Sequence, residues 1–129
     1  MRRALIAFSL LLSATPLVAH HNIAQLYDTD TPVPLNGVVT AVEWRNPHVF
    51  VFVDVKGEAG SLVNWKVEWL PAMVVFREGF TKDSLRVGDA IAMTACVAKD
   101  GSHTAAAQFV TVPSAFENHR IGLCKSGSQ

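Results

Sequence analysis

Three short runs between Leu35 and Val112 carry apolar residues at every second position, and two more have a strand-like pattern interrupted by a polar residue. One stretch between the third and fourth runs carries helix punctuation instead. Period two is the mark of a strand with one buried face, and it restricts this chain to a small β architecture. The first run, Leu35 to Arg45, has Val38, Val42 and Trp44 on one parity, with Thr40 between. The second, His48 to Lys56, sets Val49, Val51, Val53 and Val55 on one face and Phe50 and Phe52 on the other. That strand is expected to be covered on both faces along part of its length. The turn Gly57-Glu58-Ala59-Gly60 leads into Leu62 to Trp69, where Val63, Trp65, Val67 and Trp69 alternate with polar residues.

Pro71 then opens a short helix through about Glu78, because proline suits the first helical turn and Gly79 suits the stop. After a loop with a turn at Val87-Gly88-Asp89, a fourth strand runs from Ala90 to Ala98. A turn at Lys99-Asp100-Gly101-Ser102 precedes a fifth strand near Ala106 to Val112. Three strands, a helix and two strands is the element order of the OB-fold, a five-stranded Greek-key barrel. The expected class is therefore all-β with one short helix, an OB-like barrel over residues 35–112. A small β-sandwich or meander is the alternative. Neither architecture implies a function.

The N-terminus has a different grammar. Arg2 and Arg3 precede an apolar run from Ala4 to Leu12, broken only by Ser9, and Leu17-Val18-Ala19 follows Pro16. A basic start, a short apolar run and a small residue describe a secretory signal peptide over residues 1–19, cut after Ala19. A bilayer-spanning helix needs about 20 apolar residues, so no transmembrane anchor is expected. The processed chain would start with an arm, residues 20–34, and end in an irregular tail, residues 113–129. Its location would be the periplasm or the outside. Cleavage removes two basic residues and leaves nine against eleven acidic ones, a net charge of −2. That balance gives no footing for nucleic acid, which selects a clustered basic face.

Cys96 and Cys124 are the two cysteines. In an oxidising compartment they form a disulfide candidate. The competing reading is a buried Cys96 on a strand and a free Cys124 in the tail.

Glu43-Trp44-Arg45-Asn46-Pro47-His48 joins the first two strands. A two-residue hairpin over Asn46-Pro47 needs positive φ, which proline cannot adopt. The corner is either a turn with a cis Asn46–Pro47 bond or a wider bend with Asn46 extended. Trp44, Asn46 and Pro47 form this structural corner, and it fixes the direction of His48.

Four segments carry a resemblance: "AHHNIAQLYD", "LNGVVTAVEWRNPHVFVFVDV", "VNWKVEW" and "FTKDSLRVGDAIAMTACVAKDGS". They resemble a family of small exported bacterial proteins catalogued only as a domain of unknown function. That family shows a His-His-Ser start after the signal, an E-W-x-N-P-H corner, an N-W strand and an L-x-x-G-D turn. The likeness runs from about His20 to Val112 and departs at Asn22, where serine is usual. It implies this fold and export, and it implies no activity.

Cleavage after Ala19 would make His20 the first residue. A terminal histidine offers its α-amine and ring Nδ1 together, a nitrogen pair suited to Cu(II). A third nitrogen would come from His21, His48, His103 or His119, and His48 is preferred because its corner is stiff. His21 would otherwise compete as a ligand or face solvent. Glu43, Asp54 and Glu68 are expected to face solvent, and Trp44, Trp65 and Trp69 to pack the core and barrel ends. No spacing suggests a nucleophile with an adjacent base. The leading reading is a non-enzymatic exported accessory module that binds copper or another divalent metal through His20, His48 and His21. The alternative is a metal-free module that binds an envelope protein or glycan.

Overall fold

A computed structural model describes residues 23–113 and 115–124. The described part of the arm opens with a one-turn helix, α1 (Ile23–Leu26), and continues to an isolated bridge between Tyr27 and Ala98. Six strands follow among the described residues: β1 (Val33–Trp44), β2 (Val49–Lys56), β3 (Leu62–Glu68), β4 (Ala90–Val97), β5 (Thr104–Val112) and β6 (Phe116–His119). A second helix, α2 (Ala72–Arg77), lies between β3 and β4. Pro71 sits at its N-terminal cap, and Gly79 ends it at a φ of 93°, where a side chain would be strained.

Strands β1 to β3 form an antiparallel meander, and β4 pairs β1 and β5, also antiparallel. The sheet closes where Lys66, Val67 and Glu68 of β3 run parallel to Thr104, Ala105 and Ala106 of β5. That closure makes a five-stranded barrel in the order β1-β2-β3-β5-β4. It is the OB arrangement and not the sandwich or meander. Among the described residues, no helix is long and apolar enough to cross a membrane.

Alternation supplies the core. Val49, Val51 and Val53 of β2 are fully buried, as are Val67 of β3 and Val110 and Val112 of β5. Phe50 and Phe52 lie on the other face of β2, half-buried, with Lys66 Nζ 4.3 Å from the centre of the Phe50 ring. Trp69 closes one region of the core edge-on to Phe80, at 5.8 Å.

β1 departs from the alternation expected of it. Val39 pairs with Val53, but Ala41 pairs with Phe52, so Thr40 is an extra residue. A bulge of this kind reverses which parity faces inward. Leu35 and Val39 are buried before it, Val42 and Trp44 pack against the core after it, and Val38 is 45% exposed. Val38 therefore does not share a face with Val42 and Trp44.

The described part of the tail, residues 115–124, is tied to the barrel in a way its lack of period does not imply. β6 pairs with β5, and beyond it Ile121 O accepts a hydrogen bond from Leu70 N at 2.9 Å. Cys124 N donates to Ala107 O at 2.9 Å, and Cys124 is joined to Cys96 by a disulfide with Cα atoms 5.8 Å apart. Tyr27, Cys96, Ala106 and Cys124 form a second small core, with Ile23, Ala98 and Leu123 packed on it. Arm and tail thus share one apolar seat over β4 and β5.

Candidate metal-binding corner

The corner between β1 and β2 uses the first of its two geometries, with a cis Asn46–Pro47 bond. Trp44 stacks on Phe76 of α2, ring centres 5.0 Å apart at 12°. Arg45 Nε lies 2.9 Å from Glu43. Immediately after His48, Val49 is sealed in the core and its carbonyl accepts from Trp69 N at 2.8 Å. The backbone just after His48 is therefore held by packing and by the sheet, and the exposed corner before it is anchored four residues back by Trp44.

His48 does not stand alone. Its Nδ1 lies 2.6 Å from Oε1 of Glu68, and the two side chains are 14% and 16% exposed. Oε2 of the same carboxylate accepts a 2.8 Å hydrogen bond from the Tyr27 hydroxyl. Strand alternation predicts a solvent-facing Glu68; instead it bridges a strand-start histidine and the N-terminal arm. The reason is register. Glu68 is directly opposite Phe50, and Phe50 shares its face of β2 with His48, so the carboxylate is His48's diagonal neighbour.

The chemistry of the bridge follows from its donors and acceptors. A carboxylate offers only acceptors, so Nδ1 must carry the proton in this contact. In neutral imidazole, that leaves Nε2 with a bare lone pair. Nε2 makes no hydrogen bond among the described residues, and it is not a sealed, unsatisfied atom. Tyr27 is 5% exposed. Burial, then the hydrogen bond and negative charge of Glu68, hold its hydroxyl well above the ordinary tyrosine range, with a smaller push from Asp100. It is therefore a lasting donor at neutral pH.

The arm is pinned close by. Asp28 N donates to Val97 O at 2.8 Å, Lys99 N to Leu26 O at 2.9 Å, and Lys99 Nζ to Ala24 O at 2.7 Å. His20 and His21 lie outside the described residues. The other two histidines belong to different surroundings. His103 tilts against Trp65 at 5.2 Å, and His119 lies edge-on to Phe80 at 5.9 Å. His48 is linked to the arm through Glu68 and Tyr27. Among the described residues no three His, Cys, Asp or Glu side chains gather as a metal cage.

Residues 8–107 match the profile of a family of unknown function, DUF6152. The chain belongs to that family. The DUF6152 match takes in the arm, the Asn46-Pro47-His48 corner, Tyr27 and Glu68, and it ends inside β5. No curated protein and no solved structure matches the chain.

Glu68 and Tyr27 do not belong to the ligand set that sequence patterns suggest. Glu68 becomes legible only through the β2–β3 register. Tyr27 leaves one clue, as the single tyrosine of the chain set in a polar arm.

Proposed function

We propose that this protein is an exported accessory module that holds Cu(II) between its processed N-terminus and the β1–β2 corner. In this reading His20 contributes its α-amine and Nδ1, and His48 contributes Nε2. The observation that carries it is the 2.6 Å contact between His48 Nδ1 and Glu68. Histidines that bind metals commonly donate their second ring N–H to a carboxylate, which sets the tautomer and makes the free nitrogen more basic. Three nitrogen donors suit Cu(II), which also heads the divalent affinity order.

The arm supports the same reading. Tyr27 N donates to Ile23 O at 2.8 Å, so Ile23 is one helical turn from the tyrosine that meets Glu68. His20 is three residues before Ile23, a tether of at most about 11 Å. His21 offers a further imidazole on that tether.

The test begins with mass spectrometry of the exported protein, which should give His20 as the first residue. Cu(II) titration should then show tight one-to-one binding. One residue placed ahead of His20 should weaken it, as should His48→Ala. A different first residue, or equal affinity in all three proteins, would remove this reading.

A further inference from the structure

We propose that Tyr27 is a positioning residue: through the Glu68 carboxylate it fixes the His48 ring and couples the metal site to the N-terminal arm. The functional half of this proposal rests on the copper reading, and the geometric half rests on the hydrogen bonds alone.

Glu68 has two oxygens to place. A carboxylate engaged through one oxygen can still turn about its last torsion, which is a broad and soft one. Here Oε1 meets His48 Nδ1 at 2.6 Å and Oε2 meets the Tyr27 hydroxyl at 2.8 Å. With both oxygens committed, the plane of the carboxylate is set, and with it the line along which Nδ1 must point. The direction of the opposite nitrogen, Nε2, follows.

Tyr27 can do this because its ring is itself immobilised. It packs with Cys96, Ala106 and Cys124, and Ile23 and Ala98 lean on the same cluster. The backbone on either side is tied to the β4–β5 end by the bonds from Asp28 to Val97 and from Lys99 to Leu26. Ring and hydroxyl thus have separate tasks. The ring holds the arm to the barrel, and the hydroxyl reports the arm's position to Glu68. An arm that leaves its seat takes the Glu68 partner with it. Conversely, a metal that joins His48 to the processed terminus favours the seated arm. Two events that each favour the same state must be coupled reciprocally.

Tyr27→Phe separates the tasks, since it keeps the ring and removes the hydroxyl. On protein with the authentic start, Cu(II) affinity should fall about 10-fold, the lower end for outer-shell partners of a ligating histidine. The Cu(II) paramagnetic resonance spectrum should change. In a His48→Ala background the same substitution should cause no further loss, because its route to the metal is gone. Amide exchange over residues 23–28 should slow when Cu(II) binds the wild type, and slow less in Tyr27→Phe. A folded Tyr27→Phe protein with wild-type affinity and spectrum would overturn the proposal. So would a loss that persists undiminished in the His48→Ala background.

A second measurement needs no metal. Nitrogen NMR of His48 in the neutral form should show one tautomer, with the proton on Nδ1, in the wild type. In Tyr27→Phe the preference should weaken, and in Glu68→Ala it should vanish. An unchanged single tautomer in Tyr27→Phe sinks the positioning role even if copper is bound. Conversely, a wild type that binds Cu(II) no better than its extended form ends the copper reading while this measurement still judges Tyr27.

Discussion

Glu68 Oε1 meets His48 Nδ1 at 2.6 Å across the β2–β3 pair, twenty residues away along the chain. The contact turns two residues that look independent in sequence into one acceptor–donor unit. Tyr27, forty-one residues from Glu68, completes it from the arm.

Tyr27→Phe should lower stability by about 1–2 kcal/mol. A hydrogen bond to a charged acceptor contributes more than a neutral one, and the partial exposure of Glu68 reduces it. Urea unfolding of the metal-free protein measures this, with no change in slope expected.

The same residue predicts a pH dependence. Its folded pKa lies above its unfolded value near 10, so at high pH the folded state keeps a proton that the unfolded state loses. The stabilisation is complete below about pH 10 and declines as pH rises beyond it. The urea midpoint of the wild type should therefore fall more steeply above about pH 10 than that of Tyr27→Phe. Because the chain has one tyrosine, tyrosinate absorbance should appear only with unfolding.

The bulge at Thr40 can be read with a matched pair of near-isosteric changes. Val38 is 45% exposed and Val39 is 1% exposed. Val38→Thr should shift stability by no more than about 0.5 kcal/mol, as surface changes do. Val39→Thr should cost about 1–3 kcal/mol, because its hydroxyl would be buried without a partner. Equal effects, measured by denaturant unfolding, would contradict the bulge.

Removing the disulfide with Cys96→Ala and Cys124→Ala should destabilise by about 3–4 kcal/mol on the chain-entropy model, given its separation of 28 residues. The loss should also reach the arm, since Tyr27 packs in the same cluster as both cysteines. Faster amide exchange at residues 23–28 would register that, alongside the lowered thermal midpoint.

Gly122→Ala should cost about 2–3 kcal/mol. A Cβ there would run into the Ala107 carbonyl and the following amide, which are backbone and cannot swing aside. Gly122 also bridges Trp69, so the change should loosen the tail over the barrel. Thermal unfolding of the variant checks the size of the effect.

The succession of five strands along the chain, the helix between β3 and β4 and the inward face of β2 are legible in the sequence alone. Each depends on residues close along the chain: period-two valines from Val49 to Val53, and Pro71 and Gly79 as start and stop. Local sterics at Asn46-Pro47 narrow the corner to a cis bond or a wide bend. By itself, then, the sequence determined which segments become the five strands and where the helix between them goes. It also determined that His48 follows an Asn46-Pro47 corner and that the chain matches DUF6152 from residue 8 to residue 107. Only the tertiary structure decided that β3 closes on β5, that Thr40 bulges, that the tail seals against Trp69, and that Glu68 lies between His48 and Tyr27. The physical reason is range. Periodicity and capping act within a turn or a strand, whereas register and closure are set by which distant faces can be buried together. One extra residue in β1 is enough to reverse a face, and no local pattern records it.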